Sequence, residues 1–261
     1  MVSTVNVIKG KIACISGGIG GIGYQFAKVL LKSDIKGVVL LDVDAEKAPK
    51  AVNDLRAYGN GNVEFVHADC KSMYHVECGL QKAVEVFGKL DYVINNAAII
   101  DENEMDIMVN INYMSTVYST ILSLYKILPD SLTENEGVII NNACIFGIDP
   151  LPPSPIYSAL KHAVVGVSRS FGSPYYYNRS KIKVLSLCPG LTETQLSSPA
   201  KIDHGWEEIR KLPRQGAIFP ARCLLKMLTQ GENGSVWIAE NQKCYQMPFQ
   251  NRFEFYSESV K

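Results

Sequence analysis

The 261-residue chain is short of the features that point toward membranes, metals or nucleic acid. Its 26 basic residues balance 26 acidic ones and no basic block occurs. A polyanion therefore has no electrostatic footprint to bind, and no nucleic acid is expected. No apolar run approaches the roughly 18 residues needed to cross a bilayer, so no membrane partner is expected. Residues 1–11 lack the apolar core of a signal peptide, and the expected location is cytoplasmic. The seven cysteines are odd in number, the closest pair (Cys70 and Cys78) is eight apart, and there is no C-x-x-C. That pattern argues against a disulfide framework and a zinc site. The four histidines are scattered as well, so no metal is expected. Repeats, low-complexity tracts and linkers are missing too. The whole of 1–261 reads as one domain, a size that α/β folds often reach.

What is present is an alternation. Short aliphatic or β-branched runs fall at 11–16, 37–42, 63–67, 91–95, 137–142, 183–188 and 235–238. Segments of helical period lie between them, at 22–33, 44–58, 73–87, 104–128, 157–172 and 220–228. Continuous apolar runs such as 38–41 suit strands buried on both faces. The alternation implies right-handed crossovers and an α/β doubly wound parallel sheet of about seven strands, with helices on both faces. Residues 191–219 have weak periodicity and mixed composition, which marks them as a candidate substrate lid.

Directly after the first run comes Ser16-Gly17-Gly18-Ile19-Gly20-Gly21-Ile22-Gly23, opening a helix. Glycines allow the tight turn and let backbone amides approach a pyrophosphate at the helix N-terminus. Gly17, Ile19, Gly21, Ile22 and Gly23 are therefore candidate cofactor-binding residues. Asp42 ends the second run, nineteen residues past Gly23. A carboxylate there accepts hydrogen bonds from ribose hydroxyls and repels a 2′-phosphate, so NAD is the expected cofactor.

Tyr157 and Lys161 stand four apart at the start of a helical segment, one turn apart on one face. A tyrosine near pKa 10 must drop about three units to act as a base near neutrality, which takes about 4 kcal/mol. One cation at about 4 Å, at an effective dielectric near 20, supplies roughly that much. Taken alone, a Y-x-x-x-K spacing is a common accident of helices.

With these neighbours, the chain resembles the short-chain dehydrogenase/reductase family from residue 11 to about 238. The glycine run matches the family's T-G-x-x-x-G-I-G, with Ser16 for Thr. Asn95-Asn96-Ala97-Ala98 resembles its N-N-A-G, with Ala98 for Gly, and Asn112 in Val109-Asn110-Ile111-Asn112 matches the helix asparagine of its catalytic tetrad. Within the family, residues 111–120 and 157–165 look most like insect alcohol dehydrogenases and 15-hydroxyprostaglandin dehydrogenase. The resemblance implies that Asp69 contacts adenine, that Asn96 and Ala97 close over the cofactor, and that Pro189, Gly190, Thr192 and Thr194 hold the nicotinamide carboxamide. It also implies that Tyr157 is the acid/base, that Lys161 lowers its pKa and binds ribose, and that Asn112 positions a relay water. Pairing through the helical segments 104–128 and 157–172 is implied as well, hence a homodimer or homotetramer. The aromatic-rich tail, 249–261, is expected to pack on a partner subunit.

One departure matters. The family places a serine thirteen residues before the tyrosine, where this chain has Cys144. A thiol is a weaker donor with a longer reach, and losing an oxyanion donor costs about 10²–10³ in rate. Three readings stay open: Cys144 polarises the substrate oxygen less strongly, a neighbouring hydroxyl such as Ser154 substitutes, or the protein binds cofactor or ligand without turnover. A nucleophilic Cys144 is disfavoured because no histidine is placed to activate it. The expected reaction is reversible hydride transfer between NAD and a hydrophobic secondary or terpenoid-like alcohol or ketone. Apolar and aromatic residues near Ile145, Phe146, Leu151 and Trp206 motivate the hydrophobic substrate.

Overall fold

The computed structural model describes residues 7–198 and 207–249. Its main sheet has eight strands in the order β10-β9-β6-β5-β4-β1-β2-β3. These are β1 (Ile12–Ser16), β2 (Gly37–Asp42), β3 (Asn62–His67), β4 (Tyr92–Asn95), β5 (Gly137–Asn142), β6 (Ile182–Pro189), β9 (Val236–Glu240) and β10 (Lys243–Gln246). Two short strands, β7 (Thr192–Glu193) and β8 (Gln215–Gly216), pair separately. The first seven strands of the main sheet are parallel. The eighth, β10, runs antiparallel on the edge and was not among the seven expected. Its exposed, polar sequence lacks the apolar run that marks a buried strand.

Successive side chains of a strand point to opposite faces, and that period of two divides the core. Ile15, Val38, Leu40 and Ile140 pack on one face with Phe26, Leu30, Leu224 and Met227. Cys14, Val39, Leu41 and Ile139 pack on the other with Leu80, Leu122 and Leu128. Helices α1 (Gly21–Leu31), α2 (Ala48–Arg56) and the last helix, Ile218–Gln230, cover the first face. Helix α3 (Met73–Phe87) and helix α4 (105–127) cover the second. The expectation of helices on both faces of a largely parallel sheet is met.

Helix α4 is continuous but passes through two π-helical stretches, Asn110–Met114 and Ser123–Ile127. Helix α5 (Pro155–Phe171) starts two residues earlier than its hydrophobic period indicates, because Pro155 at its start has no amide to satisfy. Strand order reverses between β1 and β4, and a ligand crevice is expected beyond the carboxyl ends of those strands.

Candidate functional site

A cleft of about 550 Å³ opens at that crevice. Its floor is the turn after β1, where Gly17 has φ +61° and Gly21 φ +52°. A Cβ on Gly17 would stand 3.0 Å from the Ala97 backbone, so the turn and the end of β4 approach as closely as backbones allow. Gly20 caps α1 without any side-chain bond, and the first turn holds no acidic residue. Those free amides and the helix dipole face the cleft as an anion site. Ile19 and Ile22 line it beside them. Gly23 does not line it. A Cβ there would meet the Gly17 carbonyl oxygen at 2.0 Å, so its smallness serves the turn's packing.

At one end the Asp42 carboxylate accepts bonds from the amides of Ile19 (3.3 Å) and Asp44 (3.2 Å). Asp44 and Lys47 join it in the wall, paired with each other. Lys47 is a cation at the Asp42 end of the cleft that the sequence reading overlooked; it stands five positions after Asp42, and only the fold returns it to the cleft. Asp69 is not among the lining residues. Its carboxylate instead accepts from the Lys71 amide at 2.9 Å and pairs with the Lys71 ammonium at 3.3 Å.

The other wall is built by a polar chain. Asn96 donates to the carbonyl oxygens of Ser16 (3.0 Å) and Gly17 (3.1 Å), while the Ser16 hydroxyl accepts from the amides of Asn96 and Ala97. The Asn142 side chain donates to Asn96 Oδ1 at 2.8 Å, and the Asn142 carbonyl accepts from Lys161 Nζ at 3.1 Å. Asn142 was missed in the sequence, although a polar pair ending an otherwise apolar strand was a usable signal. Asn112 is fully buried and does not line the cleft. Its amide accepts from the Ile99 N–H and donates to the Ile99 carbonyl, both at 2.8 Å. Its side chain is thus a strut behind the wall, fixing Ile99.

Tyr157 and Lys161 are buried and both line the cleft with Cys144. The Tyr157 hydroxyl and the Cys144 thiol influence one another electrostatically. Burial, then the thiol, holds the Tyr157 phenol well above the usual tyrosine range. Burial raises the Cys144 thiol as well, which keeps it protonated. The same desolvation pushes Lys161 down to about 8. The lysine ammonium stands 5.7 Å from the tyrosine ring centroid. Without a further positive charge, burial outweighs it. Ser154, the alternative hydroxyl, is fully buried, unpartnered and outside the cleft lining. No histidine lines the cleft among the described residues.

Pro189, Gly190, Thr192 and Thr194, with Gln195, Leu196 and Ser197, roof the cleft. Thr194 comes within 3.2 Å of the Cβ position of Gly21, so roof and glycine turn face each other. Ile99, Ile100, Phe146, Leu151, Leu191 and Leu196 make the far end apolar. Trp206, the lid stretch 199–206 and the tail beyond Phe249 lie outside the described residues.

This fold is shared with known proteins. The family model for short chain dehydrogenases matches residues 11–205. Alcohol dehydrogenase 2 of Ceratitis cosyra is 30% identical over 240 residues, covering 89% of this chain and 92% of its own. The 3-ketoacyl-(acyl-carrier-protein) reductase of Brucella melitensis, solved with NADH, superposes with a TM-score of 0.76 at 26% identity, over 89% of this chain and 98% of its own. A short chain dehydrogenase of Burkholderia cenocepacia, solved with NADP, gives 0.77 at 23% identity over 90% and 98%. The chain belongs to the short-chain dehydrogenase family. Members of that oxidoreductase family bind nicotinamide cofactors, NAD in some and NADP in others.

Proposed function

We propose that the protein is an NAD-dependent dehydrogenase that oxidises a hydrophobic secondary or terpenoid-like alcohol and reduces the matching ketone. The convergence of Tyr157, Lys161 and Cys144 on the cleft that the glycine turn floors carries this reading. The residues present fit a dinucleotide: uncapped amides for a pyrophosphate, the Asp42 carboxylate for ribose hydroxyls, and Lys161 and Tyr157 at the opposite end. NAD is favoured over NADP because Asp42 and Asp44 put two carboxylates where a 2′-phosphate would enter, against one lysine already paired.

When bound, NAD supplies the hydride acceptor and a positive ring. Tyr157 takes the hydroxyl proton of the alcohol, and Lys161 stabilises the phenolate that makes this feasible. Burial holds the phenol protonated, so its use as a base is tied to the positive charges of Lys161 and of the cofactor. Cys144 accompanies Tyr157 on the substrate oxygen as a protonated, neutral donor. Asn112 fixes Ile99 in the wall. The apolar far end, with no charged side chain among its described residues, suits an uncharged substrate. Residues 191–219 act as the lid of a single 1–261 domain. Met114, Ile121 and Tyr125, exposed on α4, support a homodimer or homotetramer, which light scattering tests.

A second reading, binding without turnover, is favoured by Cys144 in the serine position. NADH formation across a panel of apolar secondary alcohols separates the two. Turnover that Tyr157→Phe abolishes, with NAD binding kept, is the expected result. NAD binding without turnover on any alcohol supports the second reading.

A further inference from the structure

Helix α5, which carries Tyr157, begins without the usual cap. Pro155 has no N–H, and the Ser154 hydroxyl, in the N-cap place, caps nothing and has no partner. The first two amides that need a partner, Ile156 and Tyr157, donate instead to the two carboxylate oxygens of Glu102, at 3.1 and 3.0 Å. Glu102 is 55 residues from Tyr157 in sequence. It lies just past Ala97–Ile100, the stretch after β4 that lines the cleft and that Asn112 holds through Ile99. A carboxylate at a helix N-terminus also meets the positive end of the dipole.

We propose that Glu102 is a positioning residue for the reaction, one that sets Tyr157 by gripping its backbone amide and ties it to the cleft wall. This rests on Tyr157 being the acid/base. The Tyr157 side chain reaches the cleft from a helix end whose first amides no local side chain caps; Ser158 ties the next residue to the Phe146 carbonyl at 2.8 Å, and Glu102 sets the Tyr157 backbone itself. Misplacing a reacting group by about 1 Å can cost 10²-fold in rate. The glycine turn, Asp42 and the roof lie elsewhere in the cleft, and Lys161 has its own anchor in the Asn142 carbonyl, so binding changes far less than turnover.

The test compares Glu102→Ala and Glu102→Gln with the parent, using turnover per NADH-binding site. Glutamine keeps the volume and one acceptor oxygen, so it holds one of the two amides. Expected is a fall in kcat of roughly 10- to 100-fold for Glu102→Ala and a smaller fall for Glu102→Gln, with KM and NADH affinity within about twofold. A purely structural cap lowers thermal stability and the folded fraction but leaves turnover per site at the parent value, which overturns the proposal. Equal losses in alanine and glutamine variants overturn it too, as does a parallel loss of NADH affinity. If Glu102→Ala does not fold, Glu102→Gln decides. Full activity of Tyr157→Phe sinks the underlying reading. An inactive Tyr157→Phe beside a fully active Glu102→Ala sinks only this one.

Discussion

The ammonium of Lys161 donates to the main-chain carbonyl of Asn142 at 3.1 Å, and that bond ends a chain running back to the glycine turn. Asn142 holds Asn96, and Asn96 holds the carbonyl of Gly17. The lysine one turn from Tyr157 is thus joined to the loop that floors the cleft. It is also a buried amine whose charged form is disfavoured by desolvation, with a pKa near 8.

That burial has a pH signature. The unfolded lysine binds its proton up to about pH 10.4, the folded one only to about 8. Between those values the unfolded state holds more protons, so this group makes the folded state relatively more stable as pH rises. Comparing the parent with Lys161→Met by urea unfolding isolates it. The parent is expected to gain roughly 3 kcal/mol relative to the variant from pH 7 to 10.5. Parallel stability curves for the two proteins would show that the amine is not desolvated.

Cofactor choice should follow the carboxylates at the ribose end. The parent is expected to bind NADH more tightly than NADPH, and Asp42→Ala to narrow the gap by about tenfold, or roughly 1.4 kcal/mol. Isothermal titration with both cofactors measures it. Equal affinities in the parent would remove Asp42 from the argument. Asp44→Ala, which releases Lys47 from its partner, is expected to improve NADPH binding further.

Restoring a hydroxyl at Cys144 should speed the chemistry. A serine is a stronger donor than a thiol, so Cys144→Ser is expected to raise kcat roughly tenfold or more with KM nearly constant, within a gain of about 1–3 kcal/mol. The thiol also interacts electrostatically with the Tyr157 hydroxyl. A fall in kcat would therefore mean that the pair is built around sulfur, and that Cys144 is an adapted donor.

Gly23 tests the packing of the cofactor turn. An alanine Cβ there meets the Gly17 carbonyl oxygen at 2.0 Å and Asn96 Nδ2 at 2.7 Å, contacts that neither backbone nor network can yield cheaply. Gly23→Ala is expected to cost about 1–3 kcal/mol of stability and to weaken NADH binding. Thermal unfolding with and without NADH reads both. An unchanged melting temperature would count against the close approach.

Local patterns were legible in the sequence because they depend on neighbours a few residues away. The apolar runs of β1, β2 and β5 are buried on both faces, and their composition alone shows it. The glycine turn after β1, Asp42 at the end of β2, and Tyr157 one turn from Lys161 are each set by a single element and its period. Other features needed distant segments to meet. Asn142 is an ordinary strand-end residue until β4 and β5 pair and bring it to Asn96. Glu102 gains a role only when the stretch after β4 reaches the start of α5. Lys47 returns to the cleft beside Asp42, whereas Asp69 is drawn off by Lys71. Asn112 matches a motif by position, and only the fold shows that its side chain holds both polar groups of the Ile99 backbone. The sequence determined the sheet, the turn and the tyrosine–lysine face through short-range sterics and periodicity. The tertiary structure alone decided which polar groups satisfy one another, because a buried donor takes whatever acceptor the fold brings within reach.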